Sequence, residues 1–397
     1  MPVVRRFKGL LYDPEVVGSL DSVTAPPYDA ISPIDQDRYH RASPHNVIRL
    51  ILGRSESGDD AASNQYTRAA SHLRTWREQG VLRPTDAPSL FPYELRFHHA
   101  GVERTVRGVI AEVGLEPWGG SILGHERTMP GPIDDRLKLL RGVPANLSPV
   151  YAMFGGPSTE VSSFLERSMS GAPAREVTDE TGTRHRMWVA SEGVEAFTGA
   201  LRAETLLIAD GHHRYTVALA YREEMRVRYG PGPWDSMMML LVDGATEDPP
   251  VLPIHRLVTG GSRALPEAVA SGERVRDMAE VLATLDDDDL TYGFVAMEEG
   301  EPIHTVGRVE GSPPTVCALH ERILDPAGLD LRFVPDAVAV ERAVISREAE
   351  AAFLLPPTTV DRVRRVIQQH GVLPQKSTYF WPKPRTGMVL RPMEDVD

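Results

Sequence analysis

The chain has 397 residues, 41% hydrophobic and 25% charged, enough apolar material for one large core or two ordinary ones and far from a disordered composition. Lys plus Arg total 43 against 56 Asp plus Glu, a net charge of −13 with no long basic block to offset it, so bulk electrostatics oppose nucleic acid and anionic lipid, and an anion must be gripped locally. A single cysteine, Cys317, excludes an internal disulfide, a zinc–cysteine cluster and a Cys-x-x-Cys redox pair.

A reducing cytoplasm fits that cysteine usage. The apolar run after Arg5 and Arg6 is too short and interrupted for a signal peptide, and no stretch approaches the roughly 20 apolar residues of a spanning helix. The expectation is a cytoplasmic protein without membrane or nucleic-acid partners; oligomeric state is not legible.

In chain order, Tyr66, Ala69, Ala70, Leu73 and Trp76 recur at helical spacing, which predicts a helix within Ala61 to Gly80. Leu90 to Phe97 and Arg104 to Leu115 flank the turn His98 to Gly101 as a β-hairpin. Strands follow at Pro149 to Phe154 and Arg186 to Ala190. In Thr205 to Asp210 an apolar run stops at Asp-Gly and a helical pattern begins, with Val217, Ala220 and Tyr221 on one face: strand, tight turn, helix. Met237 to Val242 reads as another buried strand. The acidic, Gly/Pro-rich stretch Gly244 to Pro250 is the expected boundary between a main domain, 1–243, and a C-terminal portion, 244–397. Beyond it lie a strand in LPIHRLV, a helix near Glu273 to Thr284, a strand in Tyr292 to Met297 and a helix over Thr359 to His370.

The sharpest local signal is ADGHHRYTVAL, Ala209 to Leu219. Gly211 lets the chain turn closely after the strand, and the first N–H groups of the following helix favour an anion. Arg214 adds a planar fork suited to phosphate, His212 and His213 can hydrogen-bond, move protons or ligate metal, and Asp210 can hold Mg2+ or accept a proton. The alternative is structural: Asp210 caps the helix and Arg214 pairs with a nearby acid.

A second cluster is GHERTMPGPIDDR, Gly124 to Arg136, in which His125 and Glu126 can serve as acid, base or metal ligand and Thr128 can bind a phosphate oxygen; a solvated loop with local ion pairs is the other reading. In VTAPPYDAI, Pro26 and Pro27 force an extended path that presents Tyr28 and Asp29, or simply a turn capped by Asp29. LPQKSTYFWPKPRTG, Leu373 to Gly387, places Lys376, Ser377, Thr378, Lys383 and Arg385 among aromatics: a loop that closes over a phosphorylated ligand, or one that pins the C-terminal segment. His255 and Arg256 read as satisfied core-edge residues rather than catalysts. The Walker A, G-x-G-x-x-G, H-E-x-x-H and G-x-S-x-G patterns do not occur.

At APPYD, HERT, ADGHHRYTVAL, LPIHRLV and KSTYFWPKPRTG the sequence resembles the bacterial and archaeal family labelled domain of unknown function 1015, from about Phe7 to Arg391; Trp381 stands where the family has tyrosine. The Asp-Gly-His-His-Arg turn is also similar to the phosphate-binding turn of the ParB and sulfiredoxin-like superfamily, which includes CTP-binding partition proteins, sulfiredoxin and free-serine kinases. That resemblance implies a mixed α+β chain: a ParB/sulfiredoxin-like nucleotide-binding core with a β-rich N-terminal elaboration and a C-terminal α+β portion.

It further implies a nucleotide-dependent kinase that uses ATP or ADP with Mg2+ on a small hydroxylated metabolite, free L-serine to O-phosphoserine being the first candidate. In that mechanism Asp210, Gly211, His212, His213, Arg214, Tyr215, Thr128, Lys376, Ser377 and Thr378 contact nucleotide phosphate; Mg2+ sits on Asp210 or Glu126; and Glu126, His125, His212 and Asp29 supply proton transfer. Two further readings stay open at this stage. His125, Glu126, His212, His213 and Asp210 include enough ligands for a transition metal and a phosphoesterase, and a non-catalytic nucleotide-responsive regulator needs only the binding turn.

Overall fold

The computed structural model describes residues 1–126, 130–156, 158–266, 269, 272–371 and 373–393. The chain divides into two compact units: 1–124, 128–249 and 382–397 form the first, and 125–127 with 250–381 form the second. The sequence places a boundary at 243/244; the compact units divide at 249/250, and the tail from Pro382 returns to the first. Both units are mixed α+β. Among the described residues no helix is long and apolar enough to cross a membrane.

The first unit holds, in chain order, β1 (Val4–Arg5), α1 (Gln65–Glu78), β2 (Phe91–His99), β3 (Val102–Gly114), β4 (Ile122–Leu123), α2 (Pro130–Gly142) and β5 (Val150–Phe154). It continues with α3 (Thr159–Ser168), β6 (Arg175–Thr178), β7 (Arg184–Met187), β8 (Leu206–Asp210), α4 (His212–Tyr229) and β9 (Ser236–Asp243). The strands make one sheet in the order β4-β8-β5-β9-β3-β2-β7-β6, with β1 added on β3. Most pairs are antiparallel, but β8 runs parallel to β4 and β9 parallel to β5. The expected hairpin is β2–β3, and its turn uses left-handed backbone at Ala100 (φ 50°) and Gly101 (φ 78°).

Period-2 alternation builds the core. Val109, Ala111 and Val113 of β3, Val150, Ala152 and Phe154 of β5, Leu206 and Ile208 of β8, and Met237, Met239 and Leu241 of β9 share one buried cluster with Phe164 of α3 and Tyr215 and Ala218 of α4. A separate cluster joins Leu73 and Trp76 of α1 to Ile48, Leu139, Val143 and Leu390. Asn64 starts α1 where the sequence pattern breaks, its side chain accepting from Tyr66 N at 3.0 Å and Thr67 N at 3.2 Å.

The second unit contains β10 (His255–Gly260), β11 (Glu273–Val275), β12 (Thr291–Glu298), β13 (Glu301–Arg308), β14 (Asp330–Val334), α5 (Ala337–Ile345), β15 (Ala351–Leu354) and α6 (Val360–His370). Its strands form an antiparallel sheet, β11-β13-β12-β15-β10-β14. Leu257, Val295 and Ala352 face α5 through Val340 and Val344, whereas Val258, Phe294 and Phe353 face the opposite layer of Leu319 and Leu324. The helix expected over Glu273 to Thr284 is shorter than the pattern suggests. Glu273–Val275 pairs with β13, and the helix starts only at Met278 because Asp277 caps it, accepting from Glu280 N at 3.0 Å.

Candidate functional site

Strand β8 does not run straight into its turn. Its register against β5 shifts between Ile208 and Asp210, so Asp210 pairs with Tyr151 while Ile208 pairs with Ala152, a bulge that re-aims the last side chain of the strand. Gly211 follows with φ 102°, and a Cβ there would lie 3.0 Å from both Val150 Cγ2 and Arg214 Nη2. Only glycine meets both demands without strain. The 18-residue helix α4 then starts at His212 with no side-chain cap on its N-terminus, which leaves the positive end of a long helix dipole at the turn.

The guanidinium of Arg214 is committed to the fold. Its Nη2 donates to Asp210 Oδ2 at 2.6 Å, and its Nη1 donates to Pro149 O at 2.6 Å and Ser148 Oγ at 2.9 Å. Of the two readings of this residue, pairing with a nearby acid is the one whose partner stands in the structure. The other oxygen of Asp210, Oδ1, lies 2.5 Å from Lys383 Nζ. Lys383 also reaches Asp29 Oδ2 at 3.0 Å. Asp29, Lys383, Asp210 and Arg214 thus form a row of alternating charge, with side-chain exposures of 24%, 9%, 13% and 12%. Oriented carboxylates and cations this shielded act at lower effective dielectric than surface pairs.

Around this row, His212 is buried and its ring stacks on Trp118, 6.3 Å between centroids and 16° between planes. His213 is half-buried in the same first turn. The Tyr215 hydroxyl is engaged by the fold: it donates to Glu116 O at 2.6 Å and accepts from Glu116 N at 3.0 Å, and burial pushes its pKa up to about 12. Tyr28, next to Asp29, lies under the Arg136 guanidinium at 4.2 Å, with its hydroxyl raised to about 12 by burial and then by the Asp29 charge. A cavity of about 70 Å³ opens beside it, lined by Tyr28, Arg136, Leu139, Ser148, Arg214 and Met237 among others.

The second unit gathers the other motifs. Glu126 Oε1 accepts from Ser377 N at 3.0 Å, Thr378 N at 3.2 Å and Thr378 Oγ1 at 3.3 Å, while Nε2 of the fully buried His125 lies 2.6 Å from Thr378 Oγ1. One proton order satisfies this set: the His125 Nε2–H donates to the Thr378 hydroxyl, which donates to Glu126. Glu126 therefore anchors residues 377–378 through Oε1. Lys376, expected to close over phosphate, stands at φ 55° in the bend that turns both amides toward Glu126.

Arg256 holds that bend from behind. It is fully buried, donates to Ile254 O, to Lys376 O at 2.9 Å and to His320 Nε2 at 3.2 Å, and has its pKa lowered to about 10, chiefly by burial. Thr128 lies outside the described residues. Asp210, His212 and His213 belong to the first unit and His125 and Glu126 to the second; among the described residues, no three His, Cys, Asp or Glu side chains gather to hold a metal ion.

In the sequence Lys383 is one of several basic residues of an aromatic segment, and Arg256 reads as a core-edge residue. The available signal for Lys383 was its flanking prolines, Pro382 and Pro384, which hold the segment extended like Pro26 and Pro27 before Tyr28 and Asp29.

Residues 4–312 match the family model described as protein of unknown function (DUF1015). The chain belongs to the DUF1015 family. The matched span of this DUF1015 protein holds APPYD, HERT, DGHHR and LPIHRLV, and ends before the segment 373–387. No curated protein matches the sequence. Among solved structures, a free serine kinase variant in complex with AMP is similar at 13% identity and TM-score 0.40, covering 69% of this chain and 87% of that one. A conserved hypothetical protein from Pyrococcus furiosus gives 14% and 0.37, with coverages of 66% and 89%. SbnI with a C-terminal truncation, from Staphylococcus aureus, gives 8% and 0.33, with coverages of 66% and 81%.

Proposed function

We propose that this DUF1015 protein is a nucleotide-dependent phosphotransferase acting on a small hydroxylated metabolite, with free L-serine the first acceptor to test. The observation that carries the reading is the meeting of Asp29, Lys383 and Asp210 beside the N-terminus of α4: a carboxylate, an ammonium and a positive helix end in one shielded place. The helix N-terminus and His212 would receive the phosphates of ATP or ADP, and Lys383 would neutralise the charge on the group in transfer.

Asp29 is the base of choice. The acceptor hydroxyl gives its proton to the Asp29 carboxylate, its oxygen bonds to the terminal phosphorus, and the bond from that phosphorus to the nucleotide's bridging oxygen breaks, leaving the shortened nucleotide as the anionic leaving group. An arriving phosphoryl group competes for the Lys383 ammonium, so donor binding frees Asp29 from its cation just when a base is required. Asp210, fixed by Arg214, keeps Lys383 at its post.

Mg2+ is assigned no protein ligand in this reading, because both oxygens of Asp210 face cations and Glu126 Oε1 accepts from three donors. Nucleotide phosphates bind that ion with few protein ligands, and no protein-held metal enters the mechanism.

The test is a thermal-shift series with AMP, ADP and ATP in the presence of Mg2+, followed by phosphorus NMR of mixtures with L-serine. Stabilisation by ADP or ATP and a new phosphomonoester resonance are expected. Absence of stabilisation by every nucleotide removes the reading.

A further inference from the structure

Asp29 and Lys383 sit on two segments that cannot align each other by an ordinary strand ladder. Ala25 and Thr386 form one antiparallel bridge, with N–H···O distances of 3.2 and 2.8 Å. Continued from that bridge, the register sets Tyr28 opposite Lys383. Yet Pro26, Pro27, Pro382 and Pro384 occupy the intervening and flanking positions and have no N–H to donate. Something other than backbone pairing must hold the two segments in step.

Arg385 does so from the buried side. It is 4% exposed; its Nη1 donates to Glu180 Oε2 at 2.7 Å, and its Nε donates to Thr24 Oγ1 at 3.2 Å. One guanidinium thereby ties the tail that carries Lys383 to the residue that precedes APPYD. Glu180 is braced in turn by Tyr39, whose hydroxyl donates to Oε1 at 2.6 Å.

The backbone of Arg385 is fixed by a second, directional chain. Its N–H donates to Tyr93 Oη at 3.1 Å, Tyr93 Oη lies 2.9 Å from His185 Nδ1, and His185 Nε2 lies 3.1 Å from Asp179 Oδ2. Asp179 also accepts from the amides of Thr181 at 2.8 Å and Thr183 at 2.9 Å, which keep it an ionised acceptor. An acceptor at Nε2 requires the Nε2–H tautomer, so Nδ1 accepts, so Tyr93 donates to it and presents a lone pair to Arg385 N–H. Tyr93 and His185 are both 1% exposed, too enclosed to touch a substrate.

We infer that Arg385 and the chain Tyr93–His185–Asp179 are positioning residues for the Asp29–Lys383 pair: they set the distance between carboxylate and ammonium without meeting the ligand. The inference rests on the phosphotransferase reading only for the importance of that pair, and its test contains no nucleotide. Lys383 is one of four lysines in the chain, so its acylation by a water-soluble amine-reactive ester is measured by peptide mass spectrometry against Lys8 and Lys138.

In Arg385→Gln and in Tyr93→Phe, the gentler change, labelling at Lys383 rises several-fold while Lys8 and Lys138 keep their wild-type rates; Tyr93→Phe keeps the test alive if Arg385→Gln does not fold. Lys383 labelling that stays at the wild-type rate overturns the inference. So does an equal rise at all three lysines, which reports general loosening. If nucleotide binding fails while Lys383 responds as stated, the positioning role stands and the catalytic reading falls.

Discussion

Arg214 Nη2 and Asp210 Oδ2 stand 2.6 Å apart across the first turn of α4, so the cation of the Asp-Gly-His-His-Arg turn belongs to the aspartate four residues before it. Arg214→Ala leaves Asp210 shielded from solvent beside Lys383 and takes donors from Pro149 O and Ser148. The expected outcome is a loss of about 2–4 kcal/mol in urea unfolding, somewhat less than for a buried charge left with no partner, because Lys383 still faces Asp210. An unchanged unfolding midpoint, with nucleotide stabilisation lost, would return Arg214 to the role of phosphate ligand.

Lys383→Met separates binding of the base and sugar from binding of the terminal phosphate. Because the ammonium lies between two carboxylates, the variant should keep its affinity for AMP and lose about tenfold or more for ADP and ATP, some 1.4 kcal/mol. Calorimetric titration with the three nucleotides decides; equal weakening for all three would place Lys383 away from the transferred group.

Gly211→Ala tests the turn alone. At φ 102° and with Val150 Cγ2 at 3.0 Å from the added carbon, alanine is strained by about 1–3 kcal/mol. Differential scanning calorimetry should show a lower melting temperature for the transition of the first unit.

His255 gives the second unit an acid limit. Burial, and then the neighbouring Arg256 charge, depress its pKa from 6.5 to about 4, and its Nδ1 accepts the Leu355 N–H at 3.1 Å, which requires the neutral ring. The unfolded chain binds a proton below pH 6.5 and the folded chain does not until about pH 4, so stability is full above the unfolded value and declines through that window, by about 3 kcal/mol at its lower end. His255→Gln should flatten the slope of unfolding free energy between those limits; an unaltered slope assigns the acid sensitivity elsewhere.

Arg256→Lys should loosen residues 375–378 even though the charge is kept, because an ammonium cannot span the carbonyls of Ile254 and Lys376 while also meeting His320. Hydrogen exchange at Ser377 and Thr378 is the readout. Both amides, protected by Glu126 in the parent, should exchange faster in the variant, whereas parent-like protection would show that Glu126 alone suffices.

Regular elements were legible from the sequence because their signals are local. The α1 pattern around Leu73 and Trp76, the β2–β3 hairpin and the β8–Gly211–α4 transition all appear within a few residues of where periodicity puts them. Asp277 shows how one capping residue outweighs a helical pattern that begins earlier. The site was less legible because its decisive facts are pairings over long sequence separations. Asp210 and Arg214 were visible as residues, but their mutual commitment depends on a bulge at Ile208 to Asp210 that no composition reveals. Lys383 lies 173 positions beyond Asp210 and 354 beyond Asp29 (383 − 210 and 383 − 29), and only the fold makes them neighbours.

The return of residues 382–393 to the first unit has a biosynthetic consequence. A growing chain that has made Asp29, Asp210 and Arg214 must still build all of residues 250–381 before the ammonium for its two aspartates is supplied. Ribosomal products halted earlier, or chains clipped by a protease ahead of Pro382, would carry the helix and its turn but not the cation. Unfinished molecules thereby lack the Lys383 ammonium beside Asp29 and Asp210.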